Sequence, residues 1–457
     1  MSQTAAARPI KSRPPRRQIV AGVVGMMLEL YDWQVFGFMA VYIGAHVFNP
    51  ADPFTGLLNT LLVFAVGFLM RPIGGAILGA YADRRGRKAG MILGLIMLGV
   101  GSLMIAVVPT YSQVGSVAGF ILVAARILQG IGVGGEQGAA VSFLSEIAPE
   151  GKRALYNAFG YIASSIAVVF AVLLAAVLPA LLGDAAMGDW GWRIPFVIGA
   201  LFTVYAIIMR RTMTETEQFV QAKEAGGQPG GSLSLLLRSY WKQCLLTVAF
   251  VAGSTFTYYV FVLQYSTFAH IVTGIELSAA QLLTALVIIV FAALQPVYGW
   301  LSDRIGRKKV LLFSVIGTLV TMWPALLLVT DNAAVVIGLQ LLVVVPAAAA
   351  ASVANATLAE LFPTQVRALG VAFPYAISVA LFGGTAPFVM TYLAGNGHVS
   401  MLALYGTALL ALTTVAILAM RERSQQPLIS AAPDHSDPSQ GRFSTDLAPN
   451  GPPTTRP

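Results

Sequence analysis

The sequence predicts an all-α polytopic membrane protein whose twelve transmembrane helices form two pseudo-symmetric halves of six helices each. Three observations predict this fold. Hydrophobic residues make up 57% of the 457 positions and charged residues only 11%, whereas a soluble domain carries about 25% charged residues. Apolar stretches of membrane-crossing length recur along the chain, and two polar motifs each occur once in either half. The composition excludes a soluble enzyme, a collagen-like chain and a coiled coil.

Twelve apolar stretches lie between a polar head, residues 1–18, and a polar tail, residues 421–457. A helix needs about 20 apolar residues to cross the hydrocarbon core of a bilayer, and the stretches are of about this length or longer. Numbered 1 to 12, the predicted spans cover residues 19–47, 55–81, 88–110, 114–145, 154–182, 193–210, 241–272, 278–303, 307–329, 332–362, 366–394 and 399–420.

The distribution of basic residues predicts the orientation of these spans. All of the 28 Lys and Arg residues except Arg71, Arg126 and Arg193 fall on one side of the twelve-span arrangement. Loops rich in Lys and Arg stay in the cytoplasm, so we expect both termini to be cytoplasmic and the protein to lie in the cell (cytoplasmic) membrane as a multi-pass protein. The lipid bilayer, rather than nucleic acid, accounts for the net charge of +8.

The two halves repeat each other. The segment from Gly79 to Lys88 recurs from Gly299 to Lys308, and Glu146-Ile-Ala-Pro recurs as Glu360-Leu-Phe-Pro in the same order. A duplicated six-helix unit places its ligand site between the halves, near the middle of the membrane. We therefore divide the chain into a basic cytoplasmic head (1–18), an N-terminal half (19–210), a glycine-rich cytoplasmic linker (211–240), a C-terminal half (241–420) and a disordered cytoplasmic tail (421–457).

Several classes of site are not expected. The single cysteine, Cys244, excludes an internal disulfide and a cysteine-based zinc site. The four histidines lack metal-ligand spacing, and no phosphate-binding loop stands between a strand and a helix. With no nucleophile–base cluster either, the sequence indicates neither an enzyme nor a cofactor.

Motifs in both halves resemble those of the major facilitator superfamily. The G-x-x-x-D-R-x-G-R-K loop is present twice, at 79–88 and 299–308. Further segments resemble the metabolite:proton symporter family of that superfamily: Glu29-Leu-Tyr-Asp32, Phe68-Leu-Met-Arg71-Pro-Ile-Gly74, Arg126-Ile-Leu-Gln-Gly130 and Gly191-Trp-Arg193-Ile-Pro-Phe196. Spans 9 and 11 look closest to the citrate–proton symporter branch, through Thr321-Met-Trp-Pro324 and Phe382-Gly-Gly-Thr385-Ala-Pro387. The resemblance implies the major facilitator fold, a monomer and transport of a metabolite together with protons.

Acidic residues inside the spans are the candidates for proton coupling. Ionisable groups within a membrane are costly and usually mark function. Glu29 and Asp32 are three residues apart, so they share one face of span 1. Glu136 follows a run of glycines in span 4 and is either an internal partner or a proton relay. The alternative for the span 1 pair is permanent pairing with an arginine.

Arg126 and Arg71 are the predicted substrate-binding cations. A guanidinium stays protonated and can bind a carboxylate through two parallel hydrogen bonds. Arg126 could instead form a structural salt bridge to an internal acid, and both roles are compatible if an incoming carboxylate displaces that acid. We expect Arg126 and the acids of span 1 to share one water-accessible pocket between the halves.

The second half contributes few charges within its spans. Its candidates for substrate contact are Tyr259, Asn355 and Tyr375. Charges at the cytoplasmic edge are predicted to act as gate and structural elements: Asp83, Arg84, Gly86, Arg87, Asp303, Arg304, Gly306, Arg307, Glu146, Arg153, Glu360 and Arg367.

Together these features predict a secondary active transporter that symports protons with a small-molecule organic anion, a di- or tricarboxylate such as citrate, by alternating access. The alternative within the same family is a proton symporter of a zwitterionic osmolyte, proline or betaine, or of another organic acid such as 2-oxoglutarate, shikimate or an aromatic acid. A transporter-like sensor or a membrane enzyme is the rival from another class.

Overall fold

A computed structural model of the protein describes residues 27, 30–85, 87–134, 141, 144–145, 148–149, 151–211, 233–363 and 366–422. Of the side chains at 80, 82–84, 87 and 184 nothing is described. Throughout these residues the regular structure is helical, and no strand occurs among them. Ten of the described helices are long and apolar enough to cross a membrane, and Val117–Val133 is a shorter apolar helix.

The helices follow the predicted spans and are labelled α1 to α12 accordingly. Their bounds are 30–38 with Ala40–Val47 for α1, Pro53–Arg85 for α2, Arg87–Ala106 for α3, Val117–Val133 for α4, Arg153–Leu182 for α5, Ile194–Arg211 for α6, Trp241–Thr257 with Tyr265–Thr273 for α7, Leu277–Ile305 for α8, Arg307–Leu327 for α9, Ala333–Leu361 for α10, Arg367–Ser378 with Ala386–Gly395 for α11, and Val399–Ala419 for α12. Shorter helices at Tyr111–Val114, Asp184–Asp189 and Leu233–Ser239, and a 3₁₀ turn at Gly191–Arg193, lie between them.

Two helices of the second half contain a π-helical turn that the sequence analysis did not predict. These turns are Tyr258–Leu263 in α7 and Val379–Gly383 in α11. They lie against each other, because a Cβ atom added at Gly383 would come within 2.8 Å of the Tyr259 ring. Single π-helical turns inside longer helices are rare and often occur at functional sites.

Glycines let α4 approach α2 and α3 closely. A Cβ atom at Gly130 would overlap the carbonyl oxygen of Gly67 on α2, and one at Gly132 would come within 2.5 Å of the carbonyl oxygen of Gly94 on α3. Small residues at helix crossings allow this backbone contact in membrane proteins. The tight crossing holds the α4 face that carries Arg126 and Gln129 against α1, α2 and α3.

The two halves meet along α5 and α8, α5 and α10, and α2 and α11. At the end of the bundle opposite the loops at 83–88 and 303–309, they also meet through α1 and α8: Gln281 Nε2 donates to the Phe38 carbonyl oxygen at 3.3 Å. At the same end Gly395 of α11 lies against the Phe54 ring of α2. We call the end with the two loops the basic end; it is the end that the sequence predicts to be cytoplasmic.

A cavity of about 210 Å³ lies between the halves. Its walls come from the middle of the bundle and from the parts of the helices nearer the basic end, including Gly160, Asn355 and Ala372. Since the opposite end is closed by contacts between the halves, the cavity extends from mid-bundle towards the basic end.

Candidate functional site

Two arginines stack on one indole ring at the end of the cavity nearest the middle of the bundle. We call this the inner end of the cavity. The guanidinium carbon of Arg71 lies 4.0 Å from the centre of the Trp33 ring, and that of Arg126 lies 4.1 Å from it. Arg71 also stacks on Phe68 at 4.4 Å, and Arg126 on Phe36 at 4.4 Å. Each buried cation–π contact contributes up to about 2 kcal/mol. Aromatic faces therefore hold two positive charges in place at the centre of the protein.

Arg71 is on the cavity wall, whereas Arg126 lies behind it. Arg71, Trp33 and Gln34 line the cavity, while Arg126 is fully buried, with 0% of its surface exposed. Arg126 Nη1 donates to Gln129 Oε1 at 2.7 Å, and its Nε and Nη2 have no hydrogen-bond partner among the described residues. Arg126 is thus absent from the cavity wall, whereas Trp33, on which its guanidinium stacks, is part of that wall.

Asp32 lies deeper still, within a closed set of side-chain hydrogen bonds. Gln129 Nε2 donates to Asp32 Oδ2 at 2.7 Å and to Ser102 Oγ at 2.9 Å. The Ser102 hydroxyl donates to Asp32 Oδ1. The Asp32 side chain is 1% exposed and absent from the cavity wall.

The sequence left open a salt bridge between Arg126 and an internal acid, and for Asp32 the structure has a bridging side chain instead. Both side chains are described and no direct salt bridge joins them; the Gln129 amide accepts from Arg126 and donates to Asp32. We expected Arg126 and the acids of span 1 to share one water-accessible pocket. In this conformation Arg71 lies on the cavity wall, whereas Arg126, Gln129 and Asp32 are buried and absent from that wall.

Glycines on the surrounding helices make room for this chain of side chains. A Cβ atom at Gly199 of α6 would overlap Asp32 Oδ1, and one at Gly101 of α3 would come within 2.5 Å of Gln129 Cγ. A Cβ atom at Gly67 of α2 would come within 2.8 Å of the Trp33 ring. The space that the buried polar groups occupy is therefore set by three neighbouring helices.

The second half faces the cavity with uncharged polar groups. Tyr259, Asn355 and Tyr375, all predicted from the sequence, line the cavity. The Tyr259 ring packs edge-on against Phe68, 5.3 Å between centroids, so it touches the aromatic layer that carries Arg71. Asn355 is 9% exposed and its Oδ1 has no hydrogen-bond partner among the described residues.

Other cavity residues were not singled out from the sequence. They include Trp33 and Gln34 of α1, Tyr161 and Ser165 of α5, and Ser254 of α7. Trp33 stands next to Asp32, and Gln129 stands three residues after Arg126, where helical spacing puts two side chains on one face. That spacing could have identified Gln129. No sequence signal indicates that both arginines stack on Trp33.

Part of the predicted gate forms a cluster that joins the halves at the basic end. Asp303 of α8 accepts hydrogen bonds from the backbone N–H groups of Ala154, at 3.1 Å, and Leu155, at 3.0 Å, in the first turn of α5. Arg307 pairs with Asp303 at 2.7 Å and with Glu360 of α10 at 3.1 Å. A carboxylate at a helix N-terminus is favoured by the helix dipole.

The remaining gate residues are placed as follows. Arg153 lies 3.6 Å from Glu360, and Arg367 donates from Nε to the Ala359 carbonyl oxygen at 3.1 Å. Arg304 stacks on Trp300 at 4.1 Å, away from the cluster. Gly306 joins α8 to α9 with φ +101°, a backbone conformation that favours glycine.

Several predicted residues cannot be placed. Glu29, Gly86, Glu136 and Glu146 lie outside the described residues, as do the polar head, most of the linker and most of the tail. The side chains of Asp83, Arg84 and Arg87 are likewise outside the description.

Comparisons with known proteins agree with this architecture. Residues 18–229 match the family described as "Sugar (and other) transporter", and residues 265–449 match "Major Facilitator Superfamily". The alpha-ketoglutarate permease of Escherichia coli (strain K12) is 36% identical over 383 residues, which cover 83% of this chain and 87% of that protein. The citrate-proton symporter of Klebsiella pneumoniae is 34% identical, with 81% and 83% covered. The ectoine/proline transporter ProP of Corynebacterium glutamicum is 31% identical, with 93% and 87% covered.

Among solved structures, the inward open conformation of the xylose transporter XylE from Escherichia coli superposes with a TM-score of 0.66 at 19% identity, covering 90% of this chain and 97% of that one. This likeness shows the fold. The family models and the relatives are those of transporters, so this chain is a membrane transporter and not an enzyme. The chain belongs to the metabolite:proton symporter family of the major facilitator superfamily, next to the citrate and alpha-ketoglutarate carriers. It is a multi-pass protein of the cell membrane.

Proposed function

We propose that the protein is a secondary active transporter that symports an organic acid, a di- or tricarboxylate such as citrate or 2-oxoglutarate, with protons by alternating access. The observation that carries this proposal is the pair of guanidinium groups on Trp33. Arg71 reaches the cavity wall, Arg126 lies directly behind the same indole, and no described residue of the cavity wall is acidic. A positively charged inner end favours an anionic ligand, and a guanidinium binds a carboxylate with two parallel hydrogen bonds.

The size of the cavity and the polar side chains on its wall support a small polyfunctional acid. Its volume of about 210 Å³ is below the roughly 300–1,000 Å³ of drug-sized pockets. Asn355 and Tyr375 supply an amide and a hydroxyl from the opposite half. A ligand with one carboxylate at Arg71 and a hydroxyl group towards Asn355 would bind the cation and donate a hydrogen bond to the unpartnered Asn355 Oδ1.

Proton coupling is assigned to Asp32. Its carboxylate is buried and is linked to Arg126 through Gln129. Among the described residues, Asp32 is the acidic group that acts on Arg126; its protonation removes that negative charge and makes the guanidinium a better partner for an anion. Cotransported protons also offset the charge of the substrate against an inside-negative potential, which costs about 2.3 kcal/mol per charge per 100 mV.

The names of relatives support two substrate classes. An alpha-ketoglutarate permease and a citrate-proton symporter carry acids, whereas an ectoine/proline transporter carries zwitterions. We favour the acid because two arginines lie at the inner end of the cavity. A zwitterion needs one cation for its carboxylate and an acidic or aromatic partner for its own positive charge, and the aromatic layer of Trp33, Phe68 and Tyr259 is the feature that would favour it.

Uptake into proteoliposomes tests this function. Purified protein is reconstituted, a pH gradient is imposed, and accumulation of labelled citrate and 2-oxoglutarate is followed, with a panel of unlabelled organic acids, proline and betaine as competitors. We expect accumulation that collapses when a protonophore removes the gradient. Accumulation that is indifferent to the gradient would reject symport, and competition by proline or betaine but by no dicarboxylate would establish the zwitterion.

We further propose that the basic end faces the cytoplasm, with both termini inside. Cys244 is the single cysteine and is buried, so a Cys244→Ala background accepts reporter cysteines at chosen loops. A cysteine at Lys309, at the basic end, should react with an impermeant maleimide only after cells are opened. A cysteine at Asp331, between α9 and α10, should react in intact cells; the reverse pattern would invert the proposed orientation.

A further inference from the structure

Ser102 stands between two possible acceptors for its single hydroxyl proton. Its Oγ donates to Asp32 Oδ1, and the Leu98 carbonyl oxygen, one turn earlier on α3, lies 3.2 Å from the same Oγ. A hydroxyl donates one hydrogen bond and accepts two. Gln129 Nε2 supplies one of the accepted bonds at 2.9 Å, so the Ser102 oxygen has the capacity to accept one more.

The other partner of Asp32 cannot change its role. Gln129 Oε1 accepts from the Arg126 guanidinium at 2.7 Å, and a guanidinium is only a donor. If the Gln129 amide turned over, its NH₂ group would face the N–H groups of Arg126. Gln129 is thereby fixed as a donor to Asp32, and Ser102 is the one described partner of that carboxylate that can switch between donor and acceptor.

We propose that Ser102 is the positioning residue that allows Asp32 to exist in both of the protonation states that proton transport requires. With Asp32 ionised, the Ser102 hydroxyl donates to Oδ1. When a hydronium ion transfers a proton to Oδ1, its O–H bond breaks to leave water and one O–H bond forms on Asp32. The Ser102 hydroxyl then turns to the Leu98 carbonyl oxygen, and the Ser102 oxygen accepts the new Asp32 O–H. Release of the proton to water reverses these changes. This inference rests on the proposed function and adds to it a residue and a role.

The surroundings of Asp32 fit a site that alternates between charged and neutral forms. The α4 face presents the positive Arg126 through Gln129, and the α6 face presents Gly199, which has no side chain. On α1 itself the neighbouring Tyr31 hydroxyl donates elsewhere, to the Pro195 carbonyl oxygen at 2.9 Å.

On the α2 side, Arg71 stacks on Trp33 and is not among the charged groups that act on Asp32. No other described charged side chain interacts with Asp32, so the hydrogen-bond partners at Ser102 and Gln129 decide how well each form is satisfied.

The test compares Ser102→Val with Ser102→Thr, which have the same shape and differ in the hydroxyl. Without the hydroxyl the ionised carboxylate loses a charge-assisted hydrogen bond, about twice as strong as the neutral bond lost by the protonated form. Proton release is then penalised. We expect Ser102→Val to lower accumulation of labelled citrate or 2-oxoglutarate driven by a pH gradient by about tenfold or more, while Ser102→Thr retains most of it.

Counterflow at equal pH on both sides separates this role from a structural one, because the loaded carrier then exchanges substrate without releasing its proton. We expect Ser102→Val to stay within about threefold of wild type in counterflow. Thr413→Val is the matched control. It removes a buried hydroxyl that joins α12 to α7, through the Gly253 N–H and the Ala249 carbonyl oxygen at 2.9 and 3.0 Å, far from Asp32, and should leave both assays close to wild type.

Three outcomes would overturn the inference. The first is gradient-driven accumulation by Ser102→Val equal to that of Ser102→Thr. The second is an equal loss of accumulation and counterflow in Ser102→Val. The third is that the double variant Ser102→Val/Asp32→Asn shows less counterflow than Asp32→Asn alone. Asparagine cannot gain or lose the proton, so in the Asp32→Asn background the Ser102 hydroxyl should no longer matter. If wild-type protein itself accumulates no organic acid, the proposed function fails as well, and that result is distinguished by the wild-type measurement alone.

Discussion

Replacing Arg71 by Gln tests the assignment of the cavity wall most directly. Arg71 is the cation that lines the cavity, and Trp33 and Phe68 cover its faces at 4.0 and 4.4 Å. Stacking of this kind occupies the faces of a guanidinium, while its N–H groups point outward in the ring plane. In Arg71→Gln the side chain keeps a polar end but loses both the charge and the two-pronged geometry.

The expected magnitude follows from the loss of a guanidinium–carboxylate contact in a desolvated site. Removing one partner of such a pair costs about 2–5 kcal/mol, so the half-saturating concentration of a dicarboxylate should rise at least about 30-fold. Arg71→Lys keeps the positive charge but loses the two-pronged guanidinium geometry. Its half-saturating concentration should lie between those of wild type and Arg71→Gln. A zwitterionic ligand whose carboxylate binds elsewhere would show near-normal transport in Arg71→Gln.

Counterflow in proteoliposomes measures this half-saturating concentration without an imposed gradient. Arg193→Gln is the matched control, since Arg193 also stacks on a tryptophan, Trp192 at 4.3 Å, and donates to backbone carbonyl oxygens, but outside the cavity. We expect its half-saturating concentration to stay within about threefold of wild type, because it loses no ligand contact. An Arg71→Gln protein that binds dicarboxylates as well as the Arg193→Gln protein would refute the reasoning.

Three further substitutions probe the same architecture. Gly199→Ala would overlap Asp32 Oδ1; we expect gradient-driven uptake to fall about tenfold or more, and unchanged uptake would show that the carboxylate need not occupy its observed position. Asp303→Ala leaves two N–H groups of the first turn of α5 without their acceptor and should lower thermal stability in detergent by about 2–5 kcal/mol; a melting temperature equal to wild type would contradict the joining role of this carboxylate. Glu422 accepts from the backbone N–H groups of Arg307 and Lys308 at the start of α9, so Glu422→Ala should cost about 1 kcal/mol as the loss of a helix cap, with Glu422→Gln in between.

The helices were predictable because membrane thickness constrains them. The length rule placed span 8 at 278–303, and the helix runs Leu277–Ile305; span 11 at 366–394 corresponds to helical segments from Arg367 to Gly395. The π-helical turns in α7 and α11 were not predicted; they lie where Tyr259 and Gly383, from different helices, come together. Apolar periodicity carries no information on such pairs.

The candidate site was predictable in its residue types and less so in its arrangement. Charge within apolar spans identified Arg71, Arg126 and Asp32, and all three lie near the inner end of the cavity or behind it. Helical spacing gives the face of a helix on which a residue lies. It does not give which side chain lies between two residues of different helices. The sequence therefore left open a direct pairing of Arg126 with Asp32, where the structure has Gln129 bridging them and Arg126 stacked on Trp33.

The wall that the second half gives to the cavity consists of tyrosines, an amide, small hydroxyls and apolar groups. The arginines and Asp32 lie in the first half. On the proposed function, proton coupling therefore belongs to the first half, and the groups that distinguish one ligand from another include those of the second half. We expect a chimaera that joins residues 1–210 of this protein to the second half of a carrier for another substrate to transport that other substrate. Its transport should remain coupled to protons. On the same division, substitutions in the second half could change the substrate during evolution while the first half keeps its arginines and Asp32.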